Sequence, residues 1–320
     1  MDVAAPYEIR ALAVLEGHQW SEVSPEAVRE MLDSAATAQW VQIQVRDRIA
    51  TRKMMMEVLG LHELAVEDSL SHDERPSMSD FDGTLFLVAT APHDEAFEEI
   101  AFFAKGNCLI TVAEHRVDCI EALSKQSLGK HRSEALGMLF HTLIDGIVDA
   151  YFPLIDDLED AVDDVADEIY NGSLTKVRDL LGLKRRFRSV RRAVVPLRDV
   201  LNQLLRHEHP ILTDEVKRYF QDVYDHCLRL SDLIDSNRET LASMLDVHLS
   251  NVSNNLNEVV KKMTVISTVL MVGALIAGIY GMNFKSMPEL DWQYGYPMAI
   301  GLMVVGGLLV IWIFKRKRWL

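Results

Sequence analysis

Between Ile211 and Val272 the chain holds neither a glycine nor a proline, and its pattern stays helical throughout. Thr213 can cap the start, and Asp214 and Glu215 stand in the first turn, where carboxylates suit the positive end of the helix dipole. At about 1.5 Å per residue, a helix from Asp214 to Met282 is roughly 100 Å long. No single globular domain needs such a rod. Its far end explains it: Met263 to Phe284 is 22 residues without a charge, enough to cross a bilayer. The expected helix begins in water and ends across a membrane.

Stepping from Asp246 at the helical period gives Ser250, Ser253, Asn257, Val260, Thr264, Ser267, Met271, Ala274, Gly278 and Gly281. This stripe is polar or small at nearly every position and runs on into the apolar span. The other faces carry residues such as Leu249, Leu256, Val259, Ile266 and Leu270. Hydroxyls, carboxamides and small residues on a membrane helix face neighbouring helices or a water-filled path rather than lipid. Periodicity alone leaves both readings open, a small-residue packing seam and a pore lining.

The formal charge is −15 over 320 residues, while the membrane end is basic, so the acid excess lies in the soluble part. That argues against nucleic acid as a partner and suits a protein that meets cations. Cys108, Cys119 and Cys227 form no pair spacing or metal motif, as expected in a reducing compartment. No basic stretch followed by an apolar one opens the sequence, so no signal peptide is expected.

Residues 1–130 read as an α/β domain on the cytosolic side. Trp40 to Val45 alternates as a half-buried strand, Ser24-Pro25 opens a short helix, and a further helix starts near Thr51. Asp82-Gly83 marks a turn before a strand at Thr84, and Lys105-Gly106-Asn107 joins two strands as a hairpin. The histidines here are scattered, no phosphate-cradling glycine loop is present, and no nucleophile–base set is visible, so no enzyme is expected. Residues 131–210 read as all-helical. The segment from Asp156 to Glu168 is dense in carboxylates, and six of the nine residues from Lys184 to Arg192 are Lys or Arg. Asn171-Gly172-Ser173 separates the two, which suggests an antiparallel pair whose opposite charges meet.

A second uncharged stretch of 21 residues runs from Tyr294 to Phe314, after a loop at 284–293. Lys261 and Lys262 precede the first span, and Lys315, Arg316, Lys317 and Arg318 follow the second. The positive-inside rule puts both termini in the cytoplasm and the loop outside, with Trp292, Tyr294, Tyr296 and Trp312 as interfacial anchors. Two helices cannot enclose an aqueous path, so a pore needs several copies around an axis.

Tyr280-Gly281-Met282-Asn283 closes the first span, and Met287-Pro288-Glu289-Leu290, a second span and a basic tail follow. Placed there, after a long helix, these residues resemble the CorA family of magnesium transport proteins. The similarity extends upstream through Tyr219 to His226, Leu245-Asp246-Val247, Asn251 to Asn254 and Asn257-Glu258-Val259. The resemblance implies a funnel-shaped homopentamer with a cytosolic α/β domain, a long stalk helix (211–283) lining the pore, and a second span (294–314) packed outside. It implies transport of Mg²⁺, with Co²⁺ and Ni²⁺ as further cargo, and no organic cofactor. Gly281, Met282 and Asn283 then form the outer selectivity ring. The chemistry is reasonable: Mg²⁺ dehydrates reluctantly, and carboxamides and carbonyls can hold its water shell weakly enough for release. A plain helix C-cap is the ordinary alternative for Asn283.

On the same resemblance Met271 is an apolar constriction, with Met263 or Val260 as a second, and Ala274 lies between gate and ring. Asn257 and Asp246 are polar stations deeper in the stalk, while Glu289 and Asp291 gather cations in the outer loop. The family is regulated by its own substrate bound between cytosolic domains. The matching acids are Asp222 and Asp225, partnered by Asp94 or Glu95. One departure stands out, because Val272-Gly273 follows Met271 where many members have proline. Two other readings compete: a zinc transporter of the ZntB type, which Met282 and a membrane stripe without cysteine or histidine disfavour, and a membrane-anchored structural or sensory rod, which a hydrophobic stripe would suit better.

Overall fold

The structure is a computed structural model and describes residues 5–13, 21–34, 38–71, 75–93, 96–123, 135–170, 177–283, 287–289, 292–317 and 319. Contacts gather the chain into two compact units, Met1–Ala166 with Val177–Ala242, and Asp167–Lys176 with Ser243–Leu320.

The first unit is built on a seven-stranded sheet. Its strands are β1 (Tyr7–Ala13), β2 (Ser21–Glu22), β3 (Gln39–Val45), β4 (Ser77–Phe81), β5 (Thr84–His93), β6 (Ala96–Lys105) and β7 (Cys108–Ala113), in the order β2-β1-β3-β7-β6-β5-β4. Every pairing is antiparallel except β3 with β7. The two tight hairpins use the residues their turns demand. Asp82 and Gly83 both adopt positive φ, 51° and 78°, and Gly106 has φ 56°.

Helices cover both faces of this sheet. On one, Ile9, Val41, Ile43, Val88, Phe103 and Ile110 pack with Val28 of α1 (Pro25–Ser34), Met54 and Met55 of α2 (Arg48–Glu57), and Val66 of α3 (Glu63–Leu70). α2 begins three residues before the expected Thr51, because the Asp47 carboxylate accepts hydrogen bonds from the Ile49 and Ala50 N–H groups. Towards the other face lie α4 (Asp118–Leu123), α5 (Ala135–Asp149), α6 (Tyr151–Tyr170), α7 (Val177–Arg206) and the first part of α8 (Asp214–Tyr280). Phe140 of α5 stands between Phe102 of β6, at 5.6 Å, and Phe220 of α8, at 5.5 Å between ring centroids. The buried Tyr151 hydroxyl donates to the Thr90 carbonyl at 2.6 Å. The sequence separates 1–130 from 131–210. In space the two segments share this core, because the apolar face of α5 is what covers the sheet.

The second unit holds the rest of α8 and α9 (Gly295–Arg316). Among the described residues, three helical stretches are long and apolar enough to cross a membrane: Leu136–Ile169, Asp214–Tyr280 and Gly295–Arg316. The most apolar part of the first is 44% buried within the protein, against 6% and 11% for the other two. Its hydrophobicity serves the sheet, whereas the apolar parts of α8 and α9 stay largely exposed in the single chain. α8 closes at Tyr280, three residues short of the Asn283 at which the sequence ends the stalk. The link at 171–176, the carboxylates Asp94, Glu95 and Asp291, and the basic Arg318 lie outside the described residues.

Candidate functional site: a polar stripe and a carboxylate cluster

On α8 of the second unit the stripe is open along almost its whole length. Asp246, Ser250, Ser253, Asn257, Ser267, Ala274, Gly278 and Gly281 are exposed in the single chain, and Thr264 is half-buried. Val260, Met263 and Met271 are more than half exposed. α9 meets a different face of α8. A Cβ built on Gly306 would come within 2.7 Å of Val272 Cγ1, and one on Gly307 within 3.4 Å of Val269 Cγ1. Small residues here let α9 approach closely without covering the stripe. The hydroxyls of Thr264 and Thr268 donate back to the carbonyls of Val260 and Thr264, at 2.8 and 2.7 Å. Their oxygens keep lone pairs free to accept, which suits water molecules carried by a cation.

Past Tyr280 the last turn tightens. Gly281 N–H donates to Ala277 O at 2.9 Å, and Met282 N–H to Ile279 O at 3.3 Å. Neither Gly281 nor Asn283 adopts the positive φ of a left-handed cap, a region in which Asp82 is the sole non-glycine among the described residues. The Asn283 side chain is exposed and has no hydrogen bond among the described residues. Among the described residues, then, nothing in the geometry gives Asn283 a left-handed capping role. Glu289 is exposed, and its carbonyl lies where a Cβ on Gly295 would stand, 2.1 Å away. Only glycine lets the Glu289 backbone cross the start of α9 there.

The first unit carries a second constellation. Asp145 and Asp149, one turn apart on α5, face His226 on α8, whose Nδ1 lies 3.9 Å from Asp145 and 3.6 Å from Asp149. Asp222, one turn before His226, lies 3.9 Å from its Nε2. The ligand atoms of Asp145, Asp149 and His226 fall within 4.8 Å of one another. Burial pushes the Asp145 carboxyl up to about 6; the Asp149 and Asp222 charges push the same way, and His226 opposes them. His226 Nδ1 is buried without a hydrogen-bond partner, and the ring stands edge-on to Phe152 at 5.8 Å. Carboxylate oxygens suit Mg²⁺, and the imidazole extends the set to Co²⁺ or Ni²⁺.

Of the acids named for regulation, Asp222 belongs to this cluster. Asp225 stands apart, accepting a hydrogen bond from Gln221 Nε2 at 3.1 Å. Asp145, Asp149 and His226 were not singled out as ligands in the sequence. The available signal was the i, i+4 pair Asp145/Asp149 on the polar side of an apolar helix, set against the i, i+4 pair Asp222/His226.

Comparison with known proteins gives the family and the fold. A family model described as CorA-like Mg²⁺ transporter protein matches residues 35–316. The cobalt/magnesium transport protein CorA of Thermotoga maritima is 32% identical, over 98% of this chain and 92% of its own length. The complete structure of the CorA magnesium transporter from Methanocaldococcus jannaschii superposes with a TM-score of 0.83 at 22% identity, covering 99% of this chain and 100% of that one. The ZntB cytoplasmic domain from Vibrio parahaemolyticus is more distant, with a TM-score of 0.58 at 14% identity over 77% of this chain and 98% of its own. With its α/β unit, its long helix and its apolar spans, and with a family of transporters rather than enzymes around it, this chain belongs to the CorA-like Mg²⁺ transporter family.

Proposed function

We propose that this protein is a potential-driven channel for hydrated Mg²⁺, with Co²⁺ and Ni²⁺ as further cargo, formed by five copies in a cell membrane with both termini in the cytoplasm. One observation carries the reading: the polar and small stripe of α8 is exposed, faces away from α9, and leads to Asn283, whose carboxamide has no hydrogen bond among the described residues. Polar groups inside a bilayer need partners or water, and copies around an axis supply a watery path.

In this reading Gly281 and Asn283 ring the outer mouth, and Met282 sets their spacing. Their carbonyls and carboxamides hydrogen-bond the ion's water shell without stripping it. Below them Ala274 keeps the path wide, and Met271, then Met263 and Val260, form apolar rings that close by dewetting. Asn257 and Asp246 hold the ion again in the stalk, and Glu289 and Asp291 gather cations outside. Asp222, with Asp145, Asp149 and His226, senses internal Mg²⁺. Bound cation neutralises the carboxylates and holds the subunits shut; its loss leaves like charges that loosen them.

The test is Mg²⁺ uptake into proteoliposomes under an imposed potential, comparing the native protein with Asn283→Ala at equal incorporation. Native uptake with loss in the variant upholds the filter assignment. Equal uptake removes Asn283 from the filter. Zn²⁺ entry with protons and no Mg²⁺ uptake replaces the whole reading with a zinc transporter.

A further inference from the structure

Two rows of charge in the first unit stand outside the stripe and the carboxylate cluster. On α6, Asp156, Asp160 and Asp163 recur at helical spacing with Asp164 beside them, all exposed, opposite the buried Ile155, Leu158, Val162 and Val165. On α7, Arg178, Arg185, Arg188 and Arg192 form an exposed stripe opposite the buried Leu180, Leu183, Phe187 and Val190.

The sequence suggests that these rows neutralise each other within the chain. They do not. Among the described residues none of these eight side chains makes an ion pair, whereas Arg191, on a neighbouring face of α7, reaches Asp235 at 3.0 Å. Each row is therefore a line of like charges one or two turns apart, and those one turn apart repel. An opposite row placed against each would relieve both.

We propose that the acidic row of α6 in one copy of this chain docks on the basic row of α7 in the next copy. The inference rests on the self-association proposed above and adds the surface that carries it in the soluble unit. Two different faces of one molecule meeting head to tail generate a ring when the rotation closes. Charge complementarity also fixes which face meets which. A cavity of about 310 Å³ beside α7 is lined by Arg75, Arg192, Ser189, Phe97 and Glu99; its two guanidinium groups favour a neighbour's carboxylate, and Glu99 opposes it.

The test uses the full-length chain in detergent, co-expressed with two different affinity tags. A swapped chain carries Asp156→Lys, Asp160→Lys and Asp163→Lys together with Arg185→Glu, Arg188→Glu and Arg192→Glu. Swapped copies are complementary to one another but present like charges to native copies. The swapped chain should capture its own kind as well as native captures native, which also shows that it folds. Capture between native and swapped chains should fall about tenfold at low salt and recover at roughly 0.5 M salt, where screening shortens the range of the charges. Free mixing of native and swapped chains overturns the proposal while leaving the oligomer intact. Failure of native copies to capture each other overturns the oligomer reading itself, and the proposal with it. Should reversal of the α7 row change retention on anionic vesicles and leave capture untouched, the basic row serves a lipid surface and the proposal falls.

Discussion

Replacing Asp145 by asparagine is expected to stabilise the protein without divalent cations and to destabilise it, relative to native, with them. The Asp145 side chain is 31% exposed, and burial with the Asp149 and Asp222 charges lifts its pKa from 3.8 to about 6. A carboxylate with a raised folded-state pKa holds its proton more tightly in the folded protein than in the unfolded one. The Asp145 contribution to metal-free stability is thus greatest below about pH 4 and is lost as pH rises through about 6. A shift of about two units corresponds to roughly 3 kcal/mol; solvent reaching this partly exposed group reduces that to about 1–2 kcal/mol. In chelator at pH 7.5 the Asp145→Asn protein should therefore melt some 3–6 °C higher than native, with the gap shrinking towards pH 5. Excess Mg²⁺ reverses the order. At a hundred times its dissociation constant a bound ion adds about 2.7 kcal/mol to the native protein, while the variant has lost a ligand and the site's charge. The assay is thermal melting of the full-length protein in detergent, followed through the near-ultraviolet signal of the aromatic core. No stabilisation by the substitution in chelator would refute the electrostatic argument. Equal Mg²⁺ gains in both proteins would refute the site.

Three further outcomes follow from packing. Phe220→Ala empties a fully buried position against Phe140; a loss of about 3–5 kcal/mol is expected, measured by chemical denaturation of the first unit's signal. Gly295→Ala forces a Cβ to within 2.1 Å of the Glu289 carbonyl and should cost about 1–3 kcal/mol, read as a lower melting midpoint of the purified protein. Asp47→Ala removes the cap of α2, costing about 1 kcal/mol, with faster amide exchange at Ile49 and Ala50 as the local signature.

Much of this architecture is legible in the sequence because it rests on short-range patterns. Alternation from Trp40 to Val45 gives β3, Asp82-Gly83 and Gly106 give the hairpins, and the uninterrupted run after Thr213 gives α8. The stripe from Asp246 to Gly281 is likewise a one-dimensional pattern, readable before any packing is known. The carboxylate–histidine cluster is not. Asp145 and Asp149 lie on α5 and His226 on α8, and only the placement of both helices beside the sheet brings them together. Each carboxylate alone looks like a solvated surface group, and burial, which distinguishes Asp145, has no local signature. The same limit explains why 131–210 reads as a separate helical region: that α5 lays its apolar face on β5 and β7 is a tertiary fact. The charge rows of α6 and α7 mislead in the opposite sense, since nearness along the chain suggests a pairing that the folded chain does not make.

The glycines of α9 have a mechanical consequence. With Gly306 and Gly307 seated against Val272 and Val269, the two apolar helices mesh like toothed parts, and α8 cannot turn or slide far without dragging α9. In the membrane reading, α9 presents Leu302, Val305, Leu308 and Trp312 outward, so the drag reaches the surrounding lipid. Opening and closing the path then does work against the bilayer. In that reading its thickness and lateral pressure become inputs to ion flow.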